Sequence, residues 1–150
     1  MKYMPKVEAL HIYTDGAARG NPGPAAIAFI IEDHNGVVLK KYSESIGIAT
    51  NNTAEYVAII KALEEASKHC RWDVFCFCDS EIVVKQLNGV YKIKEKHLKE
   101  KFLEAKNKEK MFEKVTYSYL PRTHNKIKIA DKLVNKELDR VNGESDFFHD

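Results

Sequence analysis

The sequence predicts an α/β fold with one mixed five-stranded sheet: three antiparallel strands, then parallel crossovers, with helices on both faces. Three observations predict it. Apolar or alternating runs of strand length fall at residues 8–14, 25–32, 37–46, 74–78 and 115–120. Helix-period stripes separate the later runs but not the first three. Turn chemistry, Gly20-Asn21-Pro22-Gly23-Pro24 and His34-Asn35-Gly36, joins the first three runs to one another. The resulting order is βββαβααβα, and right-handed crossovers place the later strands in the same sheet.

Each element has its own signal. In residues 8–14, Leu10, Ile12 and Thr14 face one way and His11 and Tyr13 the other. Ala25 to Glu32 reads as a largely buried strand, and Val37 to Ile46 returns beside it. Thr50-Asn51-Asn52 caps a helix whose stripe is Ala58, Ile59, Ala62, Leu63 and Ala66. Val74–Cys78 is apolar on both faces, as expected of a central strand between helix layers. A short helix from Ser80 to Leu87 is closed by Asn88-Gly89. Leu98, Phe102 and Ala105 mark another helix, and Val115–Leu120 is a strand stopped by Pro121. The last helix carries Ala130, Leu133, Val134, Leu138 and Val141. One domain over 1–141 is expected, with 142–150 a flexible polar tail in which Phe147-Phe148 packs on its own body or frays.

Composition narrows the function classes. The chain has 150 residues, 44% of them hydrophobic, enough for a proper core and against disorder. Net charge is +2, but residues 92–114 hold nine Lys against five Glu, either a solvated helix face or a phosphate-facing patch. Three cysteines, Cys70, Cys76 and Cys78, form no disulfide framework and read as buried thiols in a reducing compartment. No signal-peptide run opens the chain and no stretch nears the roughly 18 apolar residues of a membrane span, so a soluble cytoplasmic protein is expected.

Four acids carry the chemistry: Asp15 and Asp79 close apolar strand runs, and Glu55 and Asp131 open helical patterns. Glu55 shares the stripe of Ala58, Ile59 and Ala62, so it points toward the sheet. Singly, each has a bland reading: Glu55 as the N3 member of a capping box with Asn52 as N-cap, Asp131 as a first-turn acid, Asp15-Gly16 as a turn, Asp79-Ser80 as a cap. Together, at the carboxyl ends of strands of one sheet, they fit a hard divalent cation with oxygen ligands.

The residues around the acids resemble the motifs of type 1 ribonucleases H. Tyr13-Thr14-Asp15-Gly16-Ala17-Ala18-Arg19-Gly20-Asn21-Pro22-Gly23-Pro24 is similar to the opening motif, and Thr50-Asn51-Asn52-Thr53-Ala54-Glu55 to the second. Cys78-Asp79-Ser80 with Gln86-Leu87-Asn88-Gly89 and Tyr91-Lys92 resembles the third, and Ala130-Asp131-Lys132-Leu133 with Asn135 the fourth. The resemblance covers about residues 8–141 and implies a ribonuclease H-like fold. It also implies cleavage of the RNA strand of an RNA/DNA hybrid, leaving 5′-phosphate and 3′-hydroxyl ends. It makes Asp15, Glu55, Asp79 and Asp131 the catalytic metal ligands for two Mg²⁺ (or Mn²⁺) ions about 4 Å apart in the substrate complex. Asp15 and Asp79 are expected to be shared ligands, with Glu55 on the leaving-group side and Asp131 on the nucleophile side.

By the same resemblance Gly16, Asn21, Thr50, Asn51, Asn52 and Ser80 belong to the hybrid-binding surface. Glu81 stands where many members have Gln, and Lys92 and Lys94 where some carry a basic protrusion. His124 corresponds to a mobile-loop histidine thought to help product release, although Arg122-Thr123-His124-Asn125 looks more like a short-loop subgroup. A monomer is the expected state, and the sequence names no protein partner. The rival readings are a related nuclease preferring another duplex, such as double-stranded RNA, and a non-catalytic hybrid-binding module.

Overall fold

The computed structural model describes residues 7–148, with side chains described as far as Gly143. The elements are β1 (Ala9–Ala18), β2 (Gly23–Asp33), β3 (Val38–Ala49), α1 (Asn51–Ala66), β4 (Asp73–Cys78), α2 (Glu81–Leu87), α3 (Lys96–Glu109), β5 (Lys114–Tyr119) and α4 (Asn125–Phe148). They form one five-stranded sheet in the order β3-β2-β1-β4-β5. β1–β3 pair antiparallel, and β4 and β5 join in parallel on the other side of β1. The expected element order and mixed sheet are both present.

Side-chain alternation explains the layers. Leu10 and Ile12 of β1, Phe29 and Ile31 of β2, and Val74, Cys76 and Cys78 of β4 meet Ile59, Leu63 and Ala66 of α1, Val83 and Leu87 of α2, and Leu98 and Ala105 of α3 in the main core. Fully burying an aliphatic side chain of this size stabilises the fold by about 1.5–3 kcal/mol. On the opposite face Val134 and Leu138 of α4 rest on Ala26 and Ala28, small residues that let the helix approach β2 closely. All three cysteines are free and buried.

Four expectations need correction. β1 does not stop at Asp15 but runs to Ala18, because β2 continues to pair with it as far as Ala18↔Ala25. α1 is capped by Thr50, whose side chain accepts from the Thr53 N–H, so Asn52 is not the N-cap and Glu55 is not in a capping box. The face of β4 carrying Phe75 and Phe77 is only half-buried; their rings meet His11 and Tyr13, while α4 packs over β1, β2 and β3. Finally, α4 does not end after Val141 but runs to Phe148, with no left-handed residue at Gly143 to break it. The side chains of Phe147 and Phe148 lie outside the described residues.

Candidate active site

The site forms where β1 outruns β4. Parallel pairing places Tyr13 beside Phe77, so Asp15 and Asp79, each two residues further on, stand side by side at the point where β4 has ended. α1 crosses above, packed against β1. Its approach depends on Gly16: a Cβ there would overlap the Ala54 carbonyl and the Glu55 nitrogen. The Gly16 N–H donates to Glu55 Oε1 at 2.6 Å, which aims the carboxyl group at Asp15 and Asp79. Thus Gly16 makes room for the helix backbone, and Glu55 faces the sheet as its stripe position requires.

Carboxylate oxygens of Asp15, Glu55 and Asp79 all lie within 4.8 Å of one another. Asp15 is 3% and Glu55 6% exposed. Burial, then the charges of Asp79 and Asp131, push Asp15 up to about 7, and a hydrogen bond to Asp131 favours its protonated form further. Burial, then Asp15 and Asp79, raise Glu55 well above the usual carboxylate range, only partly opposed by the Gly16 N–H. Asp15 Oδ2 is buried without a hydrogen-bond partner. Three converging, desolvated oxygen donors with one left unsatisfied suit a divalent cation that takes oxygen ligands. Asp131, in the second turn of α4, is half-buried and reaches Asp15 from the other side, outside the tight three-acid group.

Arg122 is the residue that sequence reading missed. Its Nε donates to Asp79 Oδ2 at 3.1 Å from the turn between β5 and α4. In the sequence it stands out only as part of a loop motif. Its signal was position: a cation just after a strand whose parallel neighbour ends in an acid.

The expected substrate residues are largely occupied with one another. Asn21 Oδ1 accepts from the Asn51 N–H at 3.0 Å, and Asn51 Oδ1 from the Ala18 N–H at 2.8 Å, locking the loop after β1 to the start of α1. Asn52 is half-buried in the first turn of α1. Ser80 caps α2 through the Val83 N–H. Glu81 pairs with Lys85 at 3.3 Å, and Lys85 lies over the Tyr91 ring while donating to its hydroxyl. Lys92 and Lys94 are exposed in the loop between α2 and α3. His124 is a helix cap: its Nδ1 accepts from the Lys126 N–H at 3.2 Å and its ring stacks on Tyr13 at 5.9 Å. No helix among the described residues is long and apolar enough to cross a membrane.

Comparison with known proteins agrees with this architecture. The Reverse transcriptase-like family matches residues 13–137. Ribonuclease HI of Halobacterium salinarum is 38% identical over 130 residues, covering 87% of this chain and 64% of that protein. A bifunctional protein of Mycobacterium tuberculosis is 36% identical over 130 residues, only 35% of its own length, so the chain spans less than two thirds of either relative. The crystal structure of the Halobacterium salinarum RNase H1 superposes with a TM-score of 0.84 at 37% identity, covering 88% of this chain and 98% of that one. LC11-RNase H1, solved in complex with an RNA/DNA hybrid, superposes at 0.81 with 42% identity, again over 88% and 98%. With four acids, a β3-β2-β1-β4-β5 sheet and these relatives in agreement, the chain belongs to the type 1 ribonuclease H (ribonuclease HI) family.

Proposed function

We propose that this chain is an endonuclease that hydrolyses the RNA strand of RNA/DNA hybrids, leaving 5′-phosphate and 3′-hydroxyl ends. The observation that carries the reading is the buried Asp15–Glu55–Asp79 group with its unsatisfied Asp15 oxygen. Binding a nucleic acid needs no such group, and unneutralised carboxylates repel phosphate. The solved hybrid complex of LC11-RNase H1 supports the substrate class.

Asp15, Glu55 and Asp79, with Asp131 beside them, would hold divalent cations, Mg²⁺ or Mn²⁺. Such cations would supply Lewis-acid activation of a water and stabilisation of the leaving 3′-oxygen. The chain's own residues do the rest. The Gly16 N–H orients Glu55. Arg122 balances the charge of Asp79. The Asn21–Asn51 tie and the Thr50 cap keep the loop after β1 and the start of α1 rigid, so Gly16, Asn21, Thr50, Asn51 and Asn52 meet the hybrid as one preorganised surface. Ser80, Glu81, Lys92 and Lys94 extend that surface along α2 and the loop after it. His124 acts from the turn before α4. The protein works as a monomer in the cytoplasm.

The test is one end-labelled sequence presented as RNA/DNA, RNA/RNA, DNA/DNA and single-stranded RNA, with Mg²⁺ and with EDTA. Mg²⁺-dependent cutting of the RNA strand in the hybrid alone is expected. Cutting of another duplex moves the substrate assignment, and no cutting with any divalent metal overturns the enzyme reading.

A further inference from the structure

The segment between β5 and α4 carries Arg122 at its turn and leads into the helix that carries Asp131. It is pinned to three successive strands. The Leu120 N–H donates to the Cys78 carbonyl at the end of β4 (3.0 Å). The His124 ring stacks on Tyr13 of β1, which itself stacks on Phe77 of β4 at 5.2 Å. Lys126, in the first turn of α4, forms an ion pair with Glu32 of β2. The turn is closed internally as well, by the His124 N–H on the Pro121 carbonyl (2.9 Å) and the Lys126 N–H on His124 Nδ1.

The ion pair is out of place for stability alone. A cation in a helix's first turn opposes the helix dipole. The Glu32 side chain is 4% exposed, and burying a carboxylate costs several kcal/mol before its partner offsets it. A hydrophobic pair of equal volume would serve the core as well or better. What the ion pair adds is direction: it fixes the first turn of α4 over one point of β2. Glu32 lies opposite His11 on β1, two residues from Tyr13 and four from Asp15, in one alternating row on the same face. The anchor and the carboxylate cluster therefore share one rigid ribbon.

We propose that Glu32–Lys126, together with Tyr13–His124, is an anchor whose task is to hold Arg122 and Asp131 in register with Asp15 and Asp79, making these four positioning residues for the metal site. The proposal rests on the metal-site reading above. It gives His124 the role of a fixed post rather than of a residue in a mobile loop.

The experiment is calorimetric Mn²⁺ titration without nucleic acid, well below each variant's unfolding temperature, on Glu32→Gln/Lys126→Met, Tyr13→Leu and Lys126→Arg. The double variant leaves no orphaned buried charge, which keeps it folded. Expected is a 5- to 20-fold weaker Mn²⁺ affinity in the double variant and in Tyr13→Leu, with Lys126→Arg near wild type. A merely structural ion pair lowers the melting temperature but leaves the affinity of the folded protein unchanged, and that result overturns the proposal. Asp15→Asn separates the anchor from the metal site itself. If it leaves Mn²⁺ binding intact, the metal-site reading fails; if it abolishes binding while the anchor variants bind normally, only the anchor fails.

Discussion

At the scale of single residues, Asp15 concentrates the tension in the site. It is buried, faces three other acids, Glu55, Asp79 and Asp131, and leaves one oxygen unsatisfied. Its folded-state pKa of about 7 lies far above the usual value of 3.8. A carboxyl group raised in this way contributes stability that is fully present below its unfolded pKa and lost as pH rises through its folded pKa. Metal-free protein should therefore lose stability between about pH 4 and pH 7, by on the order of 2–4 kcal/mol from Asp15 with Glu55 adding in the same direction. Thermal melts in EDTA across that range check this; a melting temperature that rises with pH through the window contradicts it. Mn²⁺ or Mg²⁺ at pH 8 should restore the loss. Asp15→Asn removes the ionisation and the ligand together. Metal-free melts should show it to be more stable than wild type at pH 8, and cleavage assays should find no turnover although hybrid binding persists. Wild-type rates in that variant would remove Asp15 from the site.

At the scale of elements, the site depends on how closely α1 approaches β1, and Gly16 sets that distance. Gly16→Ala forces a Cβ into the backbone at Ala54 and Glu55, where no flexible side chain can yield. Overpacking of this kind costs about 1–3 kcal/mol. It also separates Glu55 from the Gly16 N–H, so urea unfolding should shift and Mn²⁺ affinity fall together. A variant that unfolds like wild type would show that the helix can retreat freely. The sequence made much of this geometry legible. The stripe of Ala58, Ile59 and Ala62 already aimed Glu55 inward, and the apolar runs already set Asp15 and Asp79 on strands, because periodicity is a local property. What it hid depends on partners distant in the chain. The end of β1 is set by how far β2 follows it, and the pairing of Arg122 with Asp79 spans 43 positions. The choice of Thr50 over Asn52 as N-cap was hidden for another reason: three adjacent residues can all cap a helix, and it is the backbone of Thr50, extended at φ −83° and ψ 163°, that leaves the helix first.

At the scale of the whole molecule, a net charge of +2 hides an uneven distribution. The lysine-rich segment divides in two. Lys101 and Lys106 pair with Glu104 and Glu109, and Lys108 reaches Glu64 of α1, so the later part of α3 is neutralised by its own fold. No ion pair among the described residues engages Lys92, Lys94, Lys96 or Lys99, at the loop after α2 and the start of α3. These four cluster beside the exposed Tyr91 and the groove it lines with Ile93 and Phe102, which makes them the patch best placed to meet phosphate. For each phosphate that a duplex-binding protein ceases to neutralise, the slope of log K against log salt falls in magnitude by about 0.9. Replacing these four lysines by Gln in the Asp15→Asn background, so that the hybrid is bound but not cut, should therefore flatten the slope by about 2–3. Replacing Lys101, Lys106 and Lys108 instead removes charges already balanced by Glu and should barely change it. Equal effects of the two sets would mean that the protein's overall charge, rather than this patch, attracts the hybrid; no effect of either would move the phosphate-binding surface to another face.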